Sequence, residues 1–308
     1  MGAEHRSQAN GKALAKALQA LPVLDDPYLR MQAFNLGLID NFLMDAERQL
    51  LQEYIEIERT PMANATFVSA ISQLWIFGVY ELLRTWRQRV REVLKFAESL
   101  NKLDRSTREK RLKEQQAKLS ATSHNLAGIG DFRWPSFKRA AESPDFVERV
   151  QLSFDSSERI FRRIEILRVH LAKHELHGVK SSAAFAPGYG RIHMDTGTMY
   201  YQIALPGTSL PGEVDVISRR DVADGCRDLS KDKSKFLIPA AVRVQLKHIP
   251  EWSYGVKCVR VTLADGRVYG GVLVNWNTEI IGMKQQTRQP FDAREIVRVL
   301  ADSVRPSK

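Results

Sequence analysis

Apolar residues recur with a helical period through roughly the first 178 positions of the chain. In a segment that starts near Asp26 and Pro27, every fourth residue is apolar, which predicts an amphipathic helix. These positions are Phe34, Leu38, Phe42, Ala46, Leu50 and Tyr54. A longer run alternates spacings of three and four from Val68 to Leu100 and predicts a helix of about nine turns.

A further long helix is predicted late in this region. Ser143 is a typical N-cap and Pro144 suits the first helical position, with Asp145 in the first turn. The apolar pattern continues to about His177, and Gly178 is a typical stop. The region from 26 to 178 is therefore predicted to be a bundle of long helices.

After Gly178 the apolar period changes from 3.6 to 2, which indicates strands. Residues 191–204 predict a hairpin around Asp195-Thr196-Gly197, and residues 213–218 predict a third strand. Ser218 is then expected to cap a short helix. Five further strands are predicted at 241–248, 256–263, 268–275, 279–283 and 296–300. Around the Asp265-Gly266 turn, these strands suggest a small closed barrel of SH3-like or Sm-like type.

These patterns predict a multi-domain α+β protein with four parts. An N-terminal arm covers residues 1–25, and an α-helical domain covers 26–178. A β-hairpin with a short helix and linker covers 179–235, and the small β-barrel covers 236–308. The chain has 308 residues, which suits more than one domain.

Charge is unevenly distributed along the chain, whose formal net charge is +10. Residues 1–83 carry 6 basic and 10 acidic side chains, whereas residues 84–118 carry 12 and 5. A solvated helix face is the ordinary explanation for such a charge-rich run. Binding to phosphate groups is the alternative explanation. In that case the expected nucleic-acid-binding residues are Arg84, Arg87, Arg89, Arg91 and Lys173.

Several classes of protein are excluded or disfavoured. Cys226 and Cys258 lack C-x-x-C spacing, so neither a structural zinc cluster nor a disulfide framework is expected. The N-terminus has no signal-peptide pattern, and the uncharged stretch 60–80 is too polar for a lone membrane span. We therefore expect a cytoplasmic protein with no membrane contact. The phosphate-binding loop and the hydrolase nucleophile elbow are both missing.

One face near the end of the 144–177 helix carries an unusual set of polar side chains. At about 100° per residue, Arg163, His170 and His177 form one flank of the apolar stripe, Arg168 forms the other, and His174 falls inside it. Three interpretations are open. In the first, His174 is a hydrogen-bonded core histidine. In the second, His170, His174 and His177 bind a metal ion. In the third, an Arg and a His together cleave RNA without metal.

The third interpretation is supported by a resemblance. Arg168-x5-His174 looks like the R-x(4–6)-H signature of HEPN-domain proteins, helical ribonucleases common in bacterial defence and toxin–antitoxin systems. The long preceding helices, including Tyr80-Glu81-Leu82-Leu83-Arg84, are similar to that family's layout. Arg163-x6-His170 offers a second register. The resemblance implies that the motifs of two protomers face each other across a groove. Val169 stands where the family usually has a polar residue, often Asn.

The sequence therefore supports three classes of function. The first is a metal-independent HEPN-like endoribonuclease without cofactor, acting as a toxin or in phage defence, with Arg168, His174, His170 and Arg163 as candidate catalytic residues. The second is a non-catalytic component that binds or senses RNA or another nucleic acid. The third is a scaffold subunit of a larger bacterial complex. A homodimer or higher homo-oligomer is expected, because the helix at 63–100 is too long and apolar for one partner helix to cover. A partner protein from a defence or toxin–antitoxin system would fit the same resemblance.

Overall fold

The computed structural model describes eight stretches of the chain: residues 12–123, 132–172, 190–204, 214–229, 234–252, 256–275, 277–284 and 289–302. The protein is a mixed α+β chain with a helical N-terminal part and two small antiparallel sheets. The helices of the N-terminal part are α1 (12–19), α2 (Pro27–Ile57), α3 (Met62–Leu100), α4 (Arg105–Ser123), α5 (Trp134–Glu142), α6 (Pro144–Ser156) and α7 (Glu158–Ala172).

Helix α3 forms the centre of the helical part, and its predicted stripe is buried from Val68 to Leu100. Two tryptophans on this stripe fix its neighbours. The indole N–H of Trp75 donates to the carbonyl of Leu36 at 2.9 Å, and that of Trp86 donates to the carbonyl of Pro22 at 2.7 Å. These bonds satisfy both buried donors and hold α2 and the end of α1 against α3.

By length and composition, α3 is also the one described helix that could cross a membrane. Its most apolar window has a mean hydropathy of 1.4, and half of that window is buried inside the protein. Core helices often have this composition, so the expectation that the protein makes no membrane contact stays a prediction.

Helix α2 forms where its pattern predicts, but the first half of its predicted apolar stripe faces solvent, whereas Leu50 near the other end is buried. Phe34, Leu38 and Phe42 are each about half exposed. The opposite face is the buried one, and it includes Leu36 and Leu43 together with two carboxylates, Asp40 and Glu47. The apolar period therefore located the helix without indicating which side packs inward.

The single helix predicted over 144–177 is in fact two helices, α6 and α7, which meet at Ser157. Its start is confirmed, because the hydroxyl of Ser143 accepts from the N–H of Phe146 at 3.2 Å. The break has a tertiary cause, because Arg87 of α3 contacts the junction. The carbonyl of Phe154 accepts from the guanidinium of Arg87 at 3.2 Å and from the hydroxyl of Ser157 at 2.6 Å. These donors replace the helical N–H that would continue the ladder.

The first sheet confirms the predicted hairpin and third strand. Strands β1 (Arg191–Ile192), β2 (Met199–Ala204) and β3 (Val214–Ser218) are antiparallel in that order. Helix α8 (Arg219–Asp228) follows, capped by Ser218 as predicted. At the hairpin turn Gly197 has φ +71°, and a Cβ there would lie 1.9 Å from the carbonyl oxygen of Glu47. Only glycine lets the turn lie directly on α2.

The C-terminal part begins with a helix where the sequence predicted a strand at 241–248. Helix α9 (Ala240–Leu246) buries Val242 and Leu246, which are four residues apart on one side of the helix, and Ile238 is buried just before it. Four predicted strands do form: β4 (Val256–Leu263), β5 (Val268–Asn275), β6 (Glu279–Met283) and β7 (Ile296–Ala301). They pair antiparallel in the order β6-β5-β4-β7, and within the described residues β6 and β7 do not pair with each other.

Buried apolar residues fall into two clusters, one running from Leu14 to Leu229 and one from Ile238 to Val299. The hairpin and α8 thus share a core with the helical bundle. An ion pair of 2.7 Å between Arg243 of α9 and Asp155 of α6 connects the two parts. Cys226 and Cys258 are both buried and free. The domain boundaries drawn from the sequence remain predictions.

Candidate functional site

Helix α7 carries the described part of the Arg–His motif. Ile160, Ile164 and Leu167 are buried against the bundle, as the helical projection predicted. Their packing fixes the rotation of α7 and directs Arg163 and Arg168 to opposite flanks. Both arginines are half-buried.

Arg168 lies against helix α3. Its guanidinium carbon is 4.8 Å from the ring centroid of Tyr80, which is itself buried. The two stretches that carry the family resemblance, 80–84 and the end of α7, are therefore in direct contact. A guanidinium stacked on a ring keeps its in-plane N–H donors available. Within the described residues, no carboxylate forms an ion pair with Arg168.

Tyr80 belongs to a continuous series of stacked groups. Its ring stacks on Phe161 with centroids 5.3 Å apart, and the guanidinium of Arg87 lies 4.7 Å from the Phe161 centroid. Arg87, Phe161, Tyr80 and Arg168 thus follow one another from the interior of the bundle to its edge. This series fixes the ring on which Arg168 rests.

Arg163 has a structural partner. It donates to Asp215 at 2.9 and 3.2 Å and to the carbonyl of Val216 at 2.6 Å, which attaches α7 to β3. The groove beside it, of about 200 Å³, has more negative than positive charge, because four acidic residues line it together with Arg159 and Arg163: Asp221, Asp224, Asp228 and Glu279. Such a groove repels a phosphate, so the Arg163 register is poorly placed for phosphodiester chemistry.

The histidines of the motif are only partly described. His170 lies on α7, in its last turn, but its side chain is not among those described. Lys173, His174 and His177 lie outside the described residues. The core, metal and catalytic interpretations of His174 therefore all stay open. Among the described residues, no group of three His, Cys, Asp or Glu side chains is arranged to bind a metal ion.

Arg87, expected on a nucleic-acid-binding surface, is instead inside the bundle. Its side chain is 2% exposed, and it is bound by Glu158, Ser157 and the carbonyl of Phe154. Burial lowers the pKa of Arg87, although the neighbouring charge of Glu158 counteracts this. A side chain so enclosed has no access to a phosphate, so the role predicted for Arg87 does not fit its position.

The other three arginines of this group differ in exposure. Arg84 is exposed and pairs with Glu81 at 2.7 Å. Arg89 is half-buried and pairs with Asp26, the N-cap of α2, at 2.8 Å. Arg91 is exposed and lies 5.2 Å from the ring centroid of Phe154. Arg84 and Arg91 thus remain accessible to a ligand, whereas Arg89 has a structural role.

Helix α4 presents the most accessible positive charge. It carries six basic and two acidic residues, and all but one of the basic side chains are exposed. The exception is Arg108, which donates to the carbonyl of Ala141. Exposed lysines and arginines on a helix of net charge +4 form a surface that can follow a phosphate backbone.

A buried ion cluster between α2 and α8 was not predicted. Arg219 is fully buried; it pairs with Asp40, and its Nε donates to Glu47 at 2.8 Å. Arg220 also donates to Glu47 at 2.8 Å, and Arg227 donates to Asp40 at 2.9 Å. Asp40 and Glu47 are seven residues apart and so lie on one helix face, which is the signal that the sequence offered.

Burial and the neighbouring arginines act in opposite directions on the pKa values of the two carboxyls in this cluster. Burial raises the pKa of Asp40 above its ordinary value, against the charges of Arg219 and Arg227. Burial alone would also raise the pKa of Glu47, but the hydrogen bond from Arg219 and the charges of Arg219 and Arg220 lower it. The hydroxyl of Thr198 donates to Glu47 at 2.7 Å and connects the hairpin to the cluster. These contacts make the cluster a structural clamp.

No family model, no curated protein and no solved structure matches this chain.

Proposed function

We propose that this protein is a metal-independent, HEPN-like endoribonuclease in which Arg168 contacts the scissile phosphate. The observation that carries the proposal is the position of Arg168 on the ring of Tyr80, next to the stretch 80–84. Arg163, in contrast, forms an ion pair with Asp215. Of the two possible motif registers, the placement favours Arg168 with His174, and His170 is the supporting histidine.

The proposed reaction requires one base, one acid and one cation. A neutral histidine takes the proton of the RNA 2′-hydroxyl, whose oxygen then bonds to the adjacent phosphorus. The bond from phosphorus to the 5′-oxygen breaks, and the leaving oxygen receives a proton from a histidinium. Arg168 stabilises the negative charge that grows on the phosphate oxygens. Its stacking on Tyr80 orients it before substrate binds, so little conformational entropy is lost in the transition state.

The test is cleavage of a labelled RNA in EDTA by the wild type and by Arg168→Ala, His174→Ala and Arg163→Ala, with thermal melts of each. We expect Arg168→Ala and His174→Ala to fold and to lose about 10²-fold or more in rate. Arg163→Ala is the matched control on the same helix and should retain cleavage. Wild-type cleavage abolished by EDTA would favour the His170, His174 and His177 metal site instead. Absence of wild-type cleavage would overturn the proposal.

A second candidate function is non-catalytic binding of nucleic acid, and the exposed positive charge of α4 favours it. Val169 after the arginine is also consistent with a motif that binds without cleaving. Fluorescence anisotropy with a labelled RNA across a salt series tests this, because phosphate binding weakens steeply as salt rises. Lys110→Glu with Lys113→Glu should then weaken binding and reduce the salt slope by about 2. A scaffold would show no binding at any salt concentration.

The setting proposed for either function is a bacterial cytoplasm, in a toxin–antitoxin or phage-defence system with a partner protein. The net charge of +10 suits a nucleic-acid ligand. We expect the protein to act as a homodimer or larger homo-oligomer, with no membrane contact and no cofactor.

For the C-terminal part we propose a small SH3-like or Sm-like barrel. The features that support it are the three-stranded meander β4-β5-β6, a single 3-10 turn at Ala293–Glu295, and a last strand, β7, that returns to pair with β4. Leu237 adds an isolated bridge to Glu279 at the free edge of β6. That bridge is a step towards closure of the sheet.

A further inference from the structure

The hairpin of α2 and α3 exposes a continuous apolar surface. Six large apolar side chains on it are between 49% and 64% exposed. They are Met31, Phe34, Leu38, Phe42, Phe67 and Leu74, and we refer to them as the hairpin face. The rings of Phe42 and Phe67 meet edge to face with centroids 6.4 Å apart, which joins the parts contributed by the two helices.

Specific contacts between α2 and α3 hold the two parts of this surface together. The bond from Trp75 to Leu36 fixes the register of α2 against α3. Gly78 allows close approach, because a Cβ there would lie 3.0 Å from Leu36 Cδ2. Phe67 and Leu74 are seven residues apart, so both project from the same side of α3.

The hairpin face also carries no charge. Residues 61–80 contain no charged residue, and the only one in 31–44 is Asp40. Asp40 is fully buried on the opposite side of α2, in the cluster with Arg219. Within the described residues, exposed ion pairs lie only beyond the ends of the six apolar residues, Asp45 with Arg48 on α2 and Glu81 with Arg84 on α3. Association centred on the apolar residues therefore desolvates few ions, and ion desolvation is a large penalty for burying a protein surface.

We infer that the hairpin face is where a second copy of this chain docks, forming a two-fold dimer with four helices at its centre. At ~200 Å² for a fully exposed large side chain, half exposure of six residues provides about 600 Å² of apolar area. With the polar residues between them, this approaches the ~800 Å² per partner of a typical stable interface. It is also at the upper end of the apolar patches found on monomers.

The charge around this surface favours a protein occupant over a lipid one. Residues 1–83 carry a net charge of −4, from 6 basic and 10 acidic side chains. An anionic membrane attracts basic segments and repels acidic ones. A second copy presents the same uncharged surface, and isologous pairing needs no charge complementarity.

This dimer does not depend on the proposed ribonuclease function. Tyr80 is six residues beyond Leu74, so it projects about 120° away around α3, and Arg168 rests on that other side. A partner on the hairpin face leaves Arg168 uncovered. The two Arg168 sites of such a dimer do not share one groove, which differs from the arrangement that the family resemblance implies.

Light scattering on the full chain, from about 1 to 100 µM, tests the inference. We expect the wild type to have twice the 35.0 kDa mass of one chain. Phe34→Glu with Leu74→Glu should be monomeric at the same concentrations, a weakening of at least ~100-fold, because each charge enters the two-fold interface twice. Val244→Glu, at an equally exposed apolar position on α9, is the matched control and should stay dimeric.

Two outcomes would overturn the inference: a monomeric wild type, or a folded double variant that remains dimeric. A single exposed substitution, Phe42→Glu, repeats the test if the double variant does not fold. Wild-type binding to vesicles of anionic lipid that the double variant lacks, with no dimer in solution, would assign the face to a membrane. RNA cleavage or binding by the monomeric variant is measured separately, so failure of the dimer and failure of the proposed function are distinguishable.

Discussion

Helices α2 and α3 pack side by side but use their apolar residues in opposite ways. In α3 the tryptophans and valines of the stripe are buried, and the charges of its second half face solvent. In α2 three residues of the stripe are about half exposed, while Asp40 and Glu47 are completely buried. The difference lies in what covers each helix. Most of the bundle packs on α3, whereas α8 brings three arginines to the inner side of α2. An amphipathic pattern therefore identifies a helix, but the neighbouring elements determine which face becomes core.

The largest expected effect comes from removing the cation that makes the inner face of α2 possible. Arg219→Ala leaves Asp40 and Glu47 buried without their main partner, which should lower the free energy of unfolding by about 3–5 kcal/mol. Urea denaturation followed by circular dichroism measures this. Arg48→Ala, in an exposed pair with Asp45, is the control and should change stability by less than about 1 kcal/mol. Equal effects of the two variants would show that the buried cluster is not a clamp.

A matched pair of leucines tests the comparison directly. Leu83 of α3 is fully buried, and Leu38 of α2 is about half exposed. Leu83→Ala should cost about 2–5 kcal/mol, because it removes packing and leaves a cavity. Leu38→Ala should stay within about 0.5 kcal/mol at low protein concentration. Thermal unfolding at two protein concentrations sharpens the test. If a dimer stabilises the wild type, the difference in midpoint between the wild type and Leu38→Ala should grow with concentration.

Acid should weaken two buried ion pairs before it affects the apolar core of α3: that of Glu47 with Arg219 on the inner face of α2, and that of Glu158 of α7 with Arg87. The folded-state pKa of Glu47 and that of Glu158 lie below the ordinary value of 4.5. Their ionised forms therefore stabilise the fold above about pH 4.5, and this stabilisation is lost as the pH falls through the lower folded-state values. The folded-state pKa of Asp40 is raised, so protonation of Asp40 favours the fold and partly offsets this loss as the pH falls.

The expected result is a fall of several degrees in the midpoint between pH 5 and pH 3. Glu47→Gln should show a shallower dependence over this range. Parallel curves for the wild type and Glu47→Gln would mean that Glu47 does not contribute to acid sensitivity.

The smallest effect is expected at the start of α8, which positions the three arginines. The hydroxyl of Ser218 accepts from the N–H of Asp221 at 3.2 Å, and the Asp221 side chain accepts in return from the N–H of Ser218 at 2.8 Å. Ser218→Ala should lower the free energy of unfolding by about 1 kcal/mol. Ser99→Ala, at an exposed position of α3, should have less than half that effect. A larger loss in Ser218→Ala than in Arg219→Ala would reverse the order of importance argued here.

Local signals predicted most of the elements. Ser143 with Pro144 marked a helix start, and Asp195 to Gly197 and Asp265-Gly266 marked turns, because caps and turns are determined by adjacent residues. Two predictions of elements were wrong, one because of a distant contact and one because the residue spacing was misread. The break at Ser157 depends on Arg87, which is 70 residues away in the chain. In α9, the spacing of the buried residues Val242 and Leu246 is helical, although the composition resembled a strand.

The candidate site was predictable only in part, because its arginines looked alike in sequence. Arg163 is separated from its partner Asp215 by 52 residues, and Arg87 from Glu158 by 71. Residue spacing within one helix does not indicate which distant carboxylate will pair with an arginine. The helical projection did place Arg163 and Arg168 on opposite flanks of α7. What distinguishes their surroundings is the mostly acidic groove beside Arg163 and the tyrosine ring beneath Arg168.

The stack that runs from Arg87 through Phe161 and Tyr80 to Arg168 has a consequence for genetic screens. Arg87 fixes the junction of α6 and α7 and supports the ring series on which Arg168 rests. Loss of Arg168 therefore removes this guanidinium, and loss of Arg87 displaces it. A screen scored on phenotype alone would group the two positions together. A readout of local packing, such as hydrogen exchange in α7, would distinguish them, because Arg87 is enclosed in the bundle and only Arg168 is proposed to contact RNA.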